Sequence, residues 1–320
     1  MAARTELGKR LRAAAILLAV IAAALGADVY LFKRDVGLLV VCTVAMAFAY
    51  NEFCSLCESW GTRPFRGFGI VGCVLLLFVQ WGTLPHCRVL DDGSWAPLFA
   101  ATYQQARPVL DVAVIVAIFV VFLRQAFIKD PKDALPALGM TILGAIYCWY
   151  LPSFLFRIRH LGGANWLTVG HGLLIAVIFV SKMADVGAYF FGKKFGRHKL
   201  IPRISPGKSI EGAVFGLACS VGMAFALRGL EILPSVRPDG LPAFGVPETV
   251  AFGLLVGGTG MCGDLFESIL KRSGGHKDSS RMLPGYGGVL DVLDSVIISA
   301  PPAYLFLRLV TGLTMSGAAG

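Results

Sequence analysis

Five carboxylates concentrate in the apolar second half of this chain: Asp185, Asp264, Glu267, Asp291 and Asp294. Each lies within or at the end of an apolar stretch, where a charged side chain costs about 2.5 kcal/mol or more at the centre of a bilayer. Carboxylates kept at that cost are functional candidates. Asp264 and Glu267 are three residues apart, as are Asp291 and Asp294, so each pair shares one helix face. Two acidic faces can therefore meet inside a helix bundle. Packed together without partners they would repel and take up protons, unless a cation neutralised them. A divalent ion suits the composition, because Mg²⁺ takes a few carboxylate oxygens together with waters and substrate phosphates. The competing arrangement is a set of structural salt bridges from the same acids to Lys182, Lys271 or Arg272.

Between the two pairs runs a basic, glycine-rich loop that includes Lys271, Arg272, Gly274, Gly275, His276, Lys277, Asp278, Arg281, Pro284, Gly285, Tyr286, Gly287 and Gly288. Glycines let backbone approach an oxyanion, while the basic side chains supply point charges and forks for phosphate. The stretch Ser205-Pro206-Gly207-Lys208-Ser209, followed by Glu211 and Gly212, is similar in kind. Ser209 is placed to cap the helix that follows, whose first N–H groups favour an anion. Two tempting motifs fail. Gly207-Lys208-Ser209 imitates the end of a phosphate-binding P-loop, but Pro202 stands where the first glycine is required, and no strand is expected before it. Gly258-x-Gly260-x-x-Gly263 lies in an apolar helix without a strand-helix-strand context, so these glycines, with Gly253 and Gly257, read as close helix packing. The histidines lack metal-site spacing, and the scattered cysteines read as small core residues, with Cys54 and Cys57 too few for a zinc site.

These residues are positioned by membrane-spanning helices. Of the 320 residues 56% are hydrophobic and only 15% charged, with a mean hydropathy of +0.71, which excludes both a water-soluble domain and a disordered chain. Crossing the hydrocarbon requires about 20 apolar residues in a helix. The sequence predicts nine such spans: Leu11 to Phe32, Val36 to Cys57, Gly67 to Pro85, Val109 to Ile128, Leu135 to Phe156, Trp166 to Phe190, Ile210 to Pro234, Val246 to Leu270 and Gly288 to Val310. The expected fold is thus an all-α polytopic bundle. Residues 1–165 form an N-terminal helix-packing and lipid-facing part, and residues 166–320 a catalytic region with loops 192–209 and 271–287. With the N-terminus in the cytoplasm, 18 Lys and Arg fall inside against 7 outside, which sets the orientation and puts both basic loops on the cytoplasmic face. The net charge of +9 is accounted for by anionic lipid, so nucleic acid is not an expected partner. A homodimer stays open as an assembly.

The run from Ser268 through Lys271, Arg272, Lys277, Asp278, Pro284, Gly285, Gly287 and Gly288 to Asp291 and Asp294 resembles the signature of phosphatidate cytidylyltransferases, the CDP-diacylglycerol synthases. A second block, Asp185 to Gly196 followed by Ser205, Pro206, Lys208, Ser209, Glu211 and Gly212, looks like another part of that family. The similarity covers about Ser181 to Ser295, and Asn51-Glu52-Phe53 is a faint further match. The resemblance implies the reaction of CTP with phosphatidic acid to CDP-diacylglycerol and pyrophosphate, with Mg²⁺, in phospholipid synthesis at the cytoplasmic side of a bacterial inner membrane. By position it implies Asp264, Asp291 and Asp294 as metal ligands. Asp264, Lys271, Arg272, Lys277, Asp278 and Asp291 are then the catalytic set. Asp185, Ser205, Lys208, Ser209, Gly287 and Gly288 are expected to bind substrate. Three departures stand out: the family usually has His at the position of Tyr286 and Arg at Val292, and Gly207 stands where a second Lys is common. The acids survive all three changes, so an active enzyme is expected. An ion-coupled transporter using Asp185 and Asp264, or a cytidylyltransferase for another lipid phosphate, remain the alternatives at this level.

Overall fold

The computed structural model describes residues 35–84, 103–127, 134–161, 169–235, 243–276, 278–280 and 287–312, with shorter pieces at 16, 19–28, 30, 87–89, 95–97 and 282. Among these residues eight helices are long and apolar enough to cross a membrane. They are α1 (Val36–Ser59), α2 (Arg66–Thr83), α3 (Tyr103–Ala126), the composite of α4 (Ala134–Ala145), a π turn (Ile146–Tyr150) and α5 (Phe154–Arg159), then α6 (His171–Phe195), α7 (Ile210–Gly229), α8 (Val246–Ser273) and α9 (Val289–Thr311). Each coincides with one of the predicted spans from the second to the ninth. Of the first predicted span only residues 16, 19–28 and 30 are described. The protein is an all-α, multi-pass membrane protein.

Strands are confined to two short antiparallel hairpins, β1 (Cys87–Val89) with β2 (Trp95–Pro97), and β3 (Lys199–Ile201) with β4 (Ser205–Ser209). The second corrects the sequence reading, since a strand does precede Gly207-Lys208-Ser209. That strand pairs Lys199 with Ser209 and Ile201 with Ser205, so the three residues sit in a hairpin arm and not in a phosphate-cradling loop.

The chain divides into two compact units, Met1–Tyr150 with Leu270–Val292, and Leu151–Ile269 with Leu293–Gly320. In the first, Tyr50 and Phe53 of α1 are buried with Tyr147 and Cys148, and Gly144 lets α4 approach both aromatic rings. Thr141 ties three elements of this unit, donating to the Ala137 carbonyl and accepting from the Phe65 N–H at 3.0 Å, while its own carbonyl accepts from the Tyr50 hydroxyl at 3.4 Å. Helix α3 buries only 11% of its apolar window, as a lipid-facing helix should. The seven cysteines whose side chains are described are free thiols, four of them buried.

The second unit is packed through small residues, because apolar lipid gives helices little reason to associate unless their backbones come close. Gly187 of α6 abuts Cys219 and Gly216 of α7, and Gly253 and Gly257 of α8 abut Val221 and Ser220. Farther along α8, Gly260 faces Ser181 and Ser295, and Gly263 faces the Asp294 carbonyl. Gly253, Gly257, Gly260 and Gly263 of α8 are therefore the close-packing stripe that the sequence suggested, whereas Gly258, expected to belong to it, is not closely packed. The stripe brings Asp264 and Glu267 against α9. A Cβ at Gly263 would collide with the Asp294 carbonyl, whereas one at Gly258 would meet only Leu217 Cδ2 at 3.8 Å. Gly263→Ala is expected to cost about 1–3 kcal/mol through forced separation of α8 and α9, seen as a lower thermal midpoint in detergent, while Gly258→Ala leaves the midpoint unchanged or raises it.

Candidate active site

In the second unit, two helices deliver three acids to one place. Asp264 and Glu267 occupy successive turns of α8, and Asp294 lies on α9. One carboxylate oxygen from each can be chosen so that all three lie within 4.8 Å of one another. Glu267 and Asp294 are buried, at 0% and 6% exposure, while the Asp264 side chain retains 31%. The cluster is thus enclosed on one side and open on the other.

Lysines compensate part of this charge. Lys182 of α6 donates to Ser295 Oγ at 2.6 Å and reaches Asp294 Oδ1 at 3.4 Å and Asp185 Oδ2 at 3.5 Å. Lys208, at the end of the β3–β4 hairpin, pairs with Asp264 Oδ2 at 2.8 Å. Two ammonium groups therefore serve three carboxylates, with Glu267 beside them. An oxygen-rich cluster of three carboxylates with one open side fits a hard divalent cation, which takes carboxylate oxygens here and water or phosphate on the exposed side. The cluster could coordinate such an ion. Ser209 caps α7 as expected, accepting from the Gly212 N–H at 3.1 Å. Ser205 is half-buried in β4. Close to the acids, Ser181 Oγ is buried without a hydrogen-bond partner among the described residues.

A second network forms in the first unit at the start of α9. Asp291 Oδ1 accepts from Lys271 Nζ at 2.6 Å. Its Oδ2 accepts from the Ser279 N–H at 2.9 Å, the Ser279 hydroxyl at 2.7 Å and the Gly288 N–H at 2.7 Å. Gly287 makes this closure possible in two ways. Its φ is +97°, and a Cβ there would strike the Asp291 carboxylate. A Cβ at Gly288 would strike Glu52 and Ser279. The two acids of the Asp291/Asp294 pair thus belong to different units, Asp291 holding the basic loop and Asp294 joining the acidic cluster. Arg272 is exposed and donates to the His276 carbonyl at 3.4 Å, and Asp278 is exposed near Gly287. Lys277 and Tyr286 lie outside the described residues.

Against known proteins, a model of the cytidylyltransferase family matches residues 9–310. A phosphatidate cytidylyltransferase of Chlamydia pneumoniae is 43% identical over 272 residues, 80% of this chain and 77% of that protein. One of Thermotoga maritima is 36% identical over 187 residues, covering 58% of this chain and 64% of the relative. The uncharacterized protein YnbB of Escherichia coli is 32% identical over 192 residues, 58% of each chain. The chain thus spans less than two thirds of the length of these last two relatives.

Sequence reasoning passed over the residue that organises the α9 terminus. Glu52, on α1, is 3% exposed and accepts four hydrogen bonds. They come from the Ser279 hydroxyl at 3.1 Å, the Ser280 hydroxyl at 2.7 Å, the Val289 N–H at 3.0 Å and the Leu290 N–H at 2.8 Å. It caps α9 from 237 positions away in sequence and fixes the two serines of the loop. The only signal was the faint match around Asn51-Glu52-Phe53. Glu52→Ala strands four donors at about 1–3 kcal/mol each if buried and unpaired. Its expected result is a sharply lowered thermal midpoint, with Glu52→Gln intermediate because one carbonyl oxygen still accepts.

Proposed function

The chain belongs to the cytidylyltransferase family, and from that premise we propose that it transfers the cytidylyl group of CTP to phosphatidic acid, giving CDP-diacylglycerol and pyrophosphate in phospholipid synthesis. The observation that carries this reading is the convergence of Asp264, Glu267 and Asp294 within 4.8 Å beside Lys182 and Lys208. The names of the Chlamydia and Thermotoga relatives support the same chemistry. The setting would be a bacterial inner membrane with the acids and basic loops facing the cytoplasm, supported by the 18 to 7 bias of basic residues.

Phosphatidate already carries an anionic phosphate oxygen, so attack on the α-phosphorus of CTP needs no strong general base. The oxygen–phosphorus bond to the lipid phosphate forms as the bond to the β-phosphate bridging oxygen breaks, and pyrophosphate takes the electron pair. What the protein must do is bring two polyanions together and compensate charge on the leaving group. Asp264, Glu267 and Asp294 would hold Mg²⁺. Bound there, Mg²⁺ would supply Lewis-acid neutralisation of the nucleotide phosphates. Lys208, held by Asp264, and Ser205 and Ser209 on the same hairpin are assigned to substrate phosphate, with Asp185 keeping Lys182 in place. Lys271, Arg272 and Lys277 receive the departing charge. Asp291, implied as a metal ligand by the family resemblance, acts in this reading by fixing Lys271 Nζ and, through Ser279 and Gly288, the loop that presents it. Asp278 completes that loop. The acyl chains stay in the bilayer while the headgroup reaches the cytoplasmic side.

Purified protein given labelled CTP, Mg²⁺ and a panel of lipid phosphates should form liponucleotide and pyrophosphate in equal amounts with phosphatidate. Asp264→Asn and Asp294→Asn are each expected to cut turnover at least about 100-fold with the fold intact by thermal midpoint. Full turnover in either variant, or gradient-dependent uptake without pyrophosphate release, would contradict the assignment. Chelation by EDTA should abolish product formation, and added Mg²⁺ should restore it. Undiminished activity in EDTA would remove the metal from the scheme.

A further inference from the structure

A cleft of about 710 Å³ in the first unit takes no part in this chemistry. Among the described residues its lining carries three arginines and no carboxylate: Arg63 in the α1–α2 connection, Arg66 at the start of α2 and Arg124 at the end of α3. Arg66 is compensated, bonding Glu58 Oε2 at 2.9 Å, Asn51 Oδ1 at 3.0 Å and Ser55 Oγ at 3.0 Å. Arg63 and Arg124 have no acidic partner among the described residues. The Arg124 guanidinium lies over the Phe65 ring, 3.8 Å from its centroid, an arrangement that leaves its in-plane N–H groups free to fork onto an oxyanion. Beside it, Gln125 Oε1 is buried with no donor among the described residues. The cleft is of ligand-site size and asks for an anion with a hydrogen-bond donor.

Its surroundings say what kind. From the cleft wall a stripe of Val71, Leu75 and Phe78 runs along one face of α2, at 57%, 60% and 48% exposure, spaced as successive turns of a helix. A soluble anion has no use for that stripe, whereas an acyl chain can lie along it. The charge bias puts these helix ends at the cytoplasmic surface, where anionic lipid is met. We infer that this cleft is a second lipid site, binding the phosphate of an anionic phospholipid between Arg63 and Arg124, with one acyl chain along the α2 stripe.

The test uses full-length protein in detergent, titrated with dioleoyl phosphatidylglycerol and read by native mass spectrometry. This lipid lacks the phosphomonoester consumed in the proposed reaction, so the outcome is independent of whether that reaction is confirmed. Phosphatidylglycerol should bind at least about tenfold tighter than dioleoyl phosphatidylcholine, which has the same tails and no net charge. Arg63→Gln, at an exposed side chain with no partner to lose among the described residues, should weaken phosphatidylglycerol about tenfold. Arg63→Lys should retain most of the binding, and Arg63→Gln with Arg124→Gln should abolish the preference over phosphatidylcholine. Equal binding of the two lipids, or undiminished phosphatidylglycerol binding by a folded Arg63→Gln protein, would overturn the proposal. Displacement of the lipid by millimolar glycerol 3-phosphate or inorganic phosphate would also overturn it, by making a soluble anion the occupant.

Discussion

Carboxylates in a membrane-embedded bundle cannot be left to water, and the way each one here is compensated governs what it can do. Desolvation of an ion costs several kcal/mol even after relaxation, so a buried acid must find cations or a fan of N–H and O–H donors. This protein uses both solutions, in different places. Glu52 and Asp291 are surrounded by donors and behave as structural anchors. Asp185, Asp264 and Asp294 share two lysines, and Glu267 comes within 4.8 Å of Asp264 and Asp294, so their cluster is not a set of one-to-one pairs.

The N-terminus of α9 joins these themes. Its unsatisfied N–H groups and positive dipole end favour negative charge. Glu52 takes the Val289 and Leu290 N–H groups, and Asp291 takes that of Gly288. With those donors met by side chains, the basic loop is fixed at Ser279 and Ser280, and Lys271 is held through Asp291. One turn later, Asp294 serves the acidic cluster, brought to α8 by the absence of a side chain at Gly263.

Spans were legible because a helix in lipid must be apolar along its whole length, and even Pro301 and Pro302 did not hide α9. The Asp264/Glu267 pair was legible for a related reason: acids are rare in such a setting and three-residue spacing fixes their face. The α8 glycines were legible as packing for want of any other use. What could not be read was which partner each acid takes. Asp291 and Asp294 have the same residue type, spacing and helix, yet different surroundings, and only tertiary structure separates them. Glu52 was still less visible, because its four bonds join α1 to a terminus more than two hundred residues away. The β3 strand was missed because Lys199-Leu200-Ile201, only three residues long and ended by Pro202, is too short to show an alternating pattern.

The most direct test of the metal-centre assignment is structural. Crystals or frozen particles of the protein prepared with Mn²⁺ in place of Mg²⁺ should give an anomalous or ion-density peak bonded to Asp264, Glu267 and Asp294 at about 2.1–2.2 Å, within the range of divalent metal–oxygen bonds. A cluster without an ion under saturating Mn²⁺ and nucleotide, its carboxylates still held by Lys182 and Lys208, would contradict it.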